Sequence, residues 1–452
     1  MTNPVMESTA PKRLISLDVL RGITIAFMIM VNNNGGEGSW WFMKHAQWNG
    51  MTPTDLVFPT FLFVVGVSLV FSFEARLAKG ATRLELAQHT FERAFVLFLL
   101  GFVVSGFPLF WLNTMSAHQV SCVLAGPLAV VVAGVGWVLW RRRADTSRTG
   151  GDLWRVFFVA FFVFIVGSAQ GTNLRIYGVL QRIALVYLIV GLCYLANRQA
   201  WTKVVALAVV LVGYWALVRW YPIPGVGVPG RDVPFLDMKQ NLVSWIDRGL
   251  LSGHLYLNWD GPEAHMVSDP EGLLSTLPAV GTALMGMLAA QWLRTGRSVS
   301  AKAKGLGVAA VVSLILGYGW SLEFPLNKNM WTSSFVLVAA GWSLTVLTLA
   351  YWFVEKWGWG KQKARWAVYP WLVFGSNAIA VYVFSELLPA VVYIPFLHSG
   401  GKPTTVAEWL FRPVYAGVSD AGLAAMIFSV CYCAFCFIPV LILYRKKIFI
   451  KV

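Results

Sequence analysis

What most constrains this chain is the recurrence of long apolar runs. Crossing a hydrocarbon core of about 30 Å takes about 20 helical residues. About twelve runs of that size occur, near 14–34, 54–75, 94–112, 122–140, 154–170, 178–196, 203–220, 274–293, 305–323, 332–354, 369–395 and 421–444. Lipid offers no hydrogen bonds to backbone amides, so such runs must become helices. With 57% hydrophobic and 13% charged residues in 452, the expected architecture is an all-α polytopic membrane protein of about 12 transmembrane helices. Residues 1–452 read as a single integral membrane domain.

The cations orient it. Short loops rich in Lys and Arg stay on the cytoplasmic side. The first run follows Lys12 and Arg13, is too long for a signal-peptide core and has no small-residue cleavage site, so it reads as a retained helix. With both termini in the cytoplasm, the clusters Arg76–Arg93, Arg141–Arg155, Arg294–Lys304, Lys356–Arg365 and Arg445–Lys451 all fall on inner loops. The net charge of +15 is then a topology signal, and no basic, aromatic-studded soluble segment remains for a nucleic acid. The absence of GxxxxGK[ST] counts against an ATP-driven pump. Cys122, Cys193, Cys431, Cys433 and Cys436 all lie in spans and read as small residues packing between helices.

The outer loops 35–53, 221–273 and 396–420 are rich in polar and aromatic residues. The longest, 221–273, begins with Pro and Gly spaced too closely for a helix. It reads as an ordered periplasmic coil carrying one short amphipathic helix at NLVSWIDRGLL.

Ionisable residues inside spans are costly and point to function. Asp18 and Arg21 can pair across one helical turn; alternatively, Arg21 faces an anionic ligand entering from the cytoplasm. Asn32, Asn33 and Asn34, with Gly35 and Gly36, close the first helix, yet a cap needs only one or two such residues. At least one Asn amide is therefore expected to be free for a ligand. Thr52, Pro53 and Asp55 open the second helix as N-cap, first position and capping-box acid, and Asp55 has a second possible role in holding Lys44 or His45. His45 is one of six histidines and is flanked by Trp40, Trp41, Phe42 and Trp48, a wall suited to a sugar. An imidazole in that setting is a natural proton acceptor. In the sixth run, Arg175 can snorkel, whereas the deeper Arg182 needs a partner, for which Asp247, Asp269 and Glu271 are at hand.

The segments SLDVLRGITIAFMIMVNNNGG, WWFMKHAQWNGMTPTDLVFPTFLFVVGVS, RIYGVLQRIALVYLIV, WIDRGLLSGHLY, DPEGLLSTLPAVGTALMG and FPLNKNMWTSSFVLV follow one another in an order that resembles the heparan-α-glucosaminide N-acetyltransferase family. The resemblance covers nearly the whole chain and identifies it as a member of a transmembrane acyltransferase group. It implies transfer of acetyl from cytoplasmic acetyl-CoA to an amino sugar beyond the membrane. It also implies that His45 is catalytic, assisted by one of Asn32 to Asn34, and it suggests a homodimer. Two departures stand out: residues 113–171 read as an inserted transmembrane hairpin in a ten-helix core, and the family's lumenal N-terminal domain has no counterpart. A bacterial inner membrane and a periplasmic glucosamine-type acceptor are expected.

For that chemistry, His45 would take the proton of the amine while an Asn amide donates to the developing oxyanion. Asp55 would support His45, and Trp40, Trp41, Trp48, Asp247, Asp269 and Glu271 would contact the acceptor. Arg21, Arg182, Lys447 and Lys451 are the cations expected to hold the donor. Direct transfer and an acetyl-histidine intermediate fit equally well, and an O-acetyltransferase of envelope polysaccharide or an amino-sugar exporter are the rival readings.

Overall fold

The computed structural model describes residues 14–112, 175–251, 254–256, 269–359, 364–393, 395, 397–399 and 402–450. The expected inserted hairpin at 113–171 lies outside them, as does Lys451. The described residues are overwhelmingly helical, and nine helices are long and apolar enough to span a membrane; a bent pair makes a tenth span.

In chain order the helices are α1 (Ile15–Asn32), α2 (Val57–Leu77), α3 (Arg83–Leu112), α4 (Val179–Ala196), α5 (Ala200–Trp220), the short α6 (Leu242–Leu250), α7 (Thr276–Leu293), α8 (Val299–Trp320) and α9 (Ser333–Tyr351). After a π-turn at Trp352–Lys356 come α10 (Arg365–Ser376), α11 (Ala378–Leu387), the single turn α12 (Pro389–Val392), α13 (Val406–Gly417) and α14 (Ala421–Arg445). The hairpin β1 (Leu397–Ser399) and β2 (Lys402–Thr404) is antiparallel, with Leu397 opposite Thr404. The expected amphipathic helix in the long loop is α6, capped by the Asn241 side chain, which accepts the backbone N–H of Ser244.

Two spans differ from the sequence reading. Helix α3 starts at Arg83, well before the apolar run, because Thr82 and Glu85 cap one another: the Thr82 N–H donates to Glu85 at 3.0 Å and the Glu85 N–H to Thr82 Oγ1 at 3.2 Å. A good cap outweighs polarity in the first turns. The run 369–395 is broken at Asn377, with a bend of 74° between the helical stretches Arg365–Ser376 and Ala378–Val392.

The core is centred on α1, α2, α7 and α9, whose windows are about two-thirds buried, while α5 and α8 lie at the rim. With no hydrophobic force between helices in lipid, close approach depends on small residues. Helices α1 and α10 show it: a Cβ on Gly22 would sit 1.8 Å from the Trp371 carbonyl oxygen, and one on Gly375 would sit 2.1 Å from that of Asp18. The loops 33–56, 221–251, 269–275 and 321–332 gather at one end of the bundle. There Gly50 N–H donates to Leu326 O (2.8 Å) and Trp48 Nε1–H to Leu236 O (2.7 Å).

Candidate active site

The loop between α1 and α2 is laid down by side chains bonding backbone. Asn34 Nδ2–H donates to Met43 O at 3.1 Å, Thr54 Oγ1–H to Phe42 O at 2.8 Å and Thr52 Oγ1–H to Lys44 O at 2.6 Å. The residues on either side of His45 are thus tied to the start of α2, and the imidazole has little freedom to leave it.

Asp55 does both tasks foreseen for it. One oxygen completes the Thr52 capping box, accepting the backbone N–H groups of Thr52 and Ala46 at 3.0 Å each. The other is 2.7 Å from His45 Nδ1. A carboxylate can only accept, so Nδ1 carries the hydrogen and Nε2 presents a lone pair. The Asp55 side chain is 1% exposed and that of His45 51%, so a buried anion orients an imidazole that a solute can reach.

A third member comes from the far side of the sequence. Lys328, 283 residues from His45, places Nζ 3.1 Å from Nδ1 and 3.4 Å from Nε2, and 3.6 Å from Asp55 Oδ1. Its loop is bolted to the first one: Asn327 Nδ2–H donates to Asn49 Oδ1 at 3.1 Å, and Asn327 Oδ1 accepts Met330 N–H at 2.9 Å. Burial pushes the Lys328 ammonium down, opposed by the charges of Asp55 and Glu271. Sequence reasoning missed Lys328; its one signal was its place in NKNMW, a lysine between asparagines in a loop.

A second cluster adjoins the first. Arg175 grips both Asp269 and Glu271, with Nε donating to Asp269 at 2.9 Å, and stacks over the Tyr256 ring at 4.6 Å. Burial opposes its charge, but the two carboxylates prevail and hold the guanidinium more firmly protonated than usual. Burial also opposes the charge of Glu271, and Arg175, Arg182 and Lys328 together hold its carboxyl low. Arg182, expected to need one of these acids, is instead wholly buried and bonds Gly272 O (3.1 Å) and Ser275 Oγ, with its guanidinium 4.9 Å from the Trp331 ring centre. Both arginines reach the same loop, Arg175 at the carboxylates of Asp269 and Glu271 and Arg182 one residue on, at the Gly272 carbonyl. Asp247 is fully buried, accepts Leu273 N–H at 3.0 Å, and is pushed by burial up to about 7.

The three asparagines are all engaged. Asn32 Nδ2–H donates to Glu386 Oε1 (2.8 Å), Asn33 Nδ2–H to Ile29 O (3.1 Å) and Asn34 Nδ2–H to Met43 O, while Asn34 Oδ1 accepts Gly36 N–H (3.1 Å). Each amide thus gives one N–H to the fold and has a second hydrogen beyond the bond described. Part of the expected aromatic wall holds together: Trp40 and Trp41 both pack on Phe42, with ring centres 5.6 and 6.0 Å away, while Trp48 is held apart. Trp40 also lies against Gly422 of α14, Trp41 is exposed, and Trp48 donates its indole N–H to Leu236 O.

The cations expected at the donor do not form one patch. Arg21 is at the opposite end of α1 from the histidine, paired with Asp18 at 3.3 Å and donating to Ser68 Oγ (2.7 Å) and Gly375 O (3.4 Å). Lys447 lies at that end too, just beyond α14, in a left-handed conformation (φ 55°). Arg182 belongs to the other end, beside Gly272. Eleven residues, about 17 Å of helix, separate Arg21 from Asn32.

Residues 13–118 match the family model described as "Heparan-alpha-glucosaminide N-acetyltransferase, catalytic". The chain is 24% identical over 471 residues to the heparan-alpha-glucosaminide N-acetyltransferase of Mus musculus, covering 99% of this chain and 62% of that protein. It is 27% identical over 464 residues to the Homo sapiens protein, covering 98% and 61%. It thus spans about three-fifths of the length of the curated relatives it matches. The matched segment contains α1, α2 and the whole His45–Asp55 loop. In its helical membrane fold and along nearly its whole length, the chain is similar to the heparan-α-glucosaminide N-acetyltransferases.

Proposed function

We propose that this protein is an integral-membrane N-acetyltransferase that moves acetyl from acetyl-CoA to the amine of an amino sugar of the glucosamine type. The observation that carries the reading is the His45–Asp55 pair. Its imidazole is oriented by a buried carboxylate, presents the Nε2 lone pair with Lys328 Nζ 3.4 Å away, and is half-exposed. Similarity to acetyltransferases that act on glucosaminides supports the same reading. The polar residues at each end of α1 fit a donor that spans the bundle, with Arg21 and Lys447 at the nucleotide's end and His45 at the thioester's end. Positive-inside logic puts the former in the cytoplasm and the latter in the periplasm.

His45 Nε2 takes a proton from the acceptor's ammonium. The freed nitrogen lone pair attacks the acetyl carbon and the C–N bond forms. The C–S bond then breaks, and the departing sulfur takes the proton back from the imidazolium. The second nitrogen proton leaves to water, so each turnover yields amide, thiol and one released proton. Lys328, beside the ring, and the Asn34 loop hold the imidazole in place for both transfers.

Purified protein in nanodiscs should transfer radiolabelled acetyl from acetyl-CoA to glucosamine, with hydroxyl-only sugars inactive. His45→Ala should lower kcat by about 10²–10⁴-fold at unchanged thermal stability. Turnover retained in that variant would remove His45 from the chemistry; label moving only to hydroxyl sugars would indicate an O-acetyltransferase, and sugar flux into vesicles without acetyl-CoA an exporter.

A further inference from the structure

Attack of an amine on a thioester passes through a tetrahedral state whose carbonyl oxygen carries negative charge. That oxygen is best served by a donor already in place, about 2.7–3.1 Å from where the charge develops. Asn32, Asn33 and Asn34 aim their bonded N–H groups at Glu386, Ile29 O and Met43 O. Among the described residues, the donor within hydrogen-bonding reach of His45 Nε2 is Lys328, with Nζ 3.4 Å away.

The ammonium of Lys328 is poorly matched by the partners it has. His45 Nδ1, 3.1 Å from Nζ, already carries the hydrogen that goes to Asp55 Oδ1 at 2.7 Å and so cannot accept. Asp55 Oδ1 is 3.6 Å from Nζ, close enough for an ion pair and too far for a hydrogen bond. That leaves Nε2, at a long 3.4 Å, and Nε2 gives up its lone pair when it takes the acceptor's proton. From that moment the three N–H groups have no acceptor of full strength among the described residues, in a side chain only 14% exposed. The oxyanion forms at the same moment and supplies the missing acceptor.

The loop holds Nζ in position beforehand. Asn327 Nδ2–H donates to Asn49 Oδ1 at 3.1 Å and Asn327 Oδ1 accepts Met330 N–H at 2.9 Å. Thr332 Oγ1 closes the loop from the other side, donating to Pro325 O at 2.9 Å and accepting Asn327 N–H at 3.1 Å. An amine nitrogen about 2.6–3.2 Å from Nε2 meets the acetyl carbon at about 3–3.5 Å. The carbonyl oxygen, one bond further on, can then turn onto Nζ.

We infer that Lys328 is a catalytic residue whose ammonium donates a hydrogen bond to the acetyl carbonyl oxygen as that oxygen becomes an oxyanion. This rests on the proposed amine acetylation and adds the electrophilic half of its site. As the C–N bond forms, the carbonyl π pair moves onto oxygen beside Nζ. As the C–S bond breaks, the pair returns to the carbonyl and the departing sulfur takes the proton from His45. Lys328 keeps its three protons throughout and forms no covalent bond.

The experiment compares wild type, Lys328→Met and Lys328→Arg in nanodiscs, each checked by thermal unfolding. In Lys328→Met kcat should fall by about 10²–10³-fold, the cost of one oxyanion donor, with the KM values for glucosamine and acetyl-CoA within a few-fold. Lys328→Arg, which restores a donor, should recover part of the loss. A role confined to holding the imidazole would also lower kcat, so the deciding readout is calorimetric binding of two bisubstrate analogues. In one, CoA is joined to glucosamine through a tetrahedral phosphonamidate anion; in the other, through a planar amide. Wild type should bind the anion at least about tenfold more tightly, and Lys328→Met should lose that preference while binding the planar analogue as before. Unchanged kcat in Lys328→Met, or equal losses for the two analogues, overturns the assignment. If neither variant folds, wild type alone still tests it, because equal affinity for the two analogues overturns it. Wild type without acetyl transfer sinks the acetyltransferase reading and this assignment with it, whereas an active wild type beside a fully active Lys328→Met sinks this assignment alone.

Discussion

At the scale of single residues, the arrangement around His45 makes Asp55 the most informative position to change. In Asp55→Asn the amide oxygen can still accept the N–H groups of Ala46 and Thr52 that cap α2, so the fold should persist. Its NH2 then faces Nδ1 and forces the hydrogen onto Nε2, leaving no lone pair toward the acceptor. We expect kcat to fall by about 10²-fold or more, with thermal stability near wild type; full activity would show that the tautomer is irrelevant. Asp247 makes a prediction about pH. Burial raises its carboxyl to about 7, whereas in the unfolded chain it titrates near 4. Between those values the folded state holds the extra proton, so this group's contribution to stability falls as pH rises through the interval and is constant above it. The total is on the order of 4 kcal/mol. Thermal unfolding at pH 5 and pH 8 should show a smaller drop in Asp247→Asn than in wild type; parallel drops would exclude the effect. Much of this site was legible residue by residue. His45 stood out as a rare side chain amid aromatics, and Thr52, Pro53 and Asp55 as helix punctuation. Lys328 did not, because nothing local to NKNMW says which loop it will meet 283 residues away.

At the scale of elements, apolar run length located the spans and small residues set their spacing. Gly22→Val tests the second point, since its side chain would press on the Trp371 backbone at the α1–α10 crossing. Backbone cannot yield as a flexible side chain can, and overpacking costs about 1–3 kcal/mol. A clear drop in the unfolding midpoint is expected, and an unchanged midpoint would mean that the helices part freely. The break at Asn377 has a local trace in Gly375, Ser376 and Asn377, but the long apolar stretches on either side read as one span, and Pro370 sits well before the bend. Tertiary partners hold it: Arg21 takes the carbonyl of Gly375, while the Asn377 side chain donates to Ile448 O (3.1 Å) and accepts Ile450 N–H (2.8 Å). Those groups replace the helix bonds lost at the bend, which propensity along one segment cannot foresee. Glu386 owes its position to that same bend.

Over the whole molecule, the proposed orientation can be tested directly. In a cysteine-free background, Gly36→Cys should react with an impermeant maleimide in intact cells, and Lys446→Cys only after permeabilisation. The reversed pattern would overturn the orientation inferred from the positive-inside rule, and would place the His45 mouth in the cytoplasm. The sequence by itself determined that this is a helical membrane protein and roughly where its spans run, because satisfying the backbone in lipid depends on local apolar length. It also marked the loop that matters, because helix caps and a histidine among tryptophans are local features. Which charges neutralise one another was decided only by tertiary structure. Arg175, and not Arg182, takes Asp269 and Glu271; Lys328 joins His45; and Asn32 reaches Glu386. Such pairings depend on distances across the bundle, fixed by how helices cross and where one of them bends.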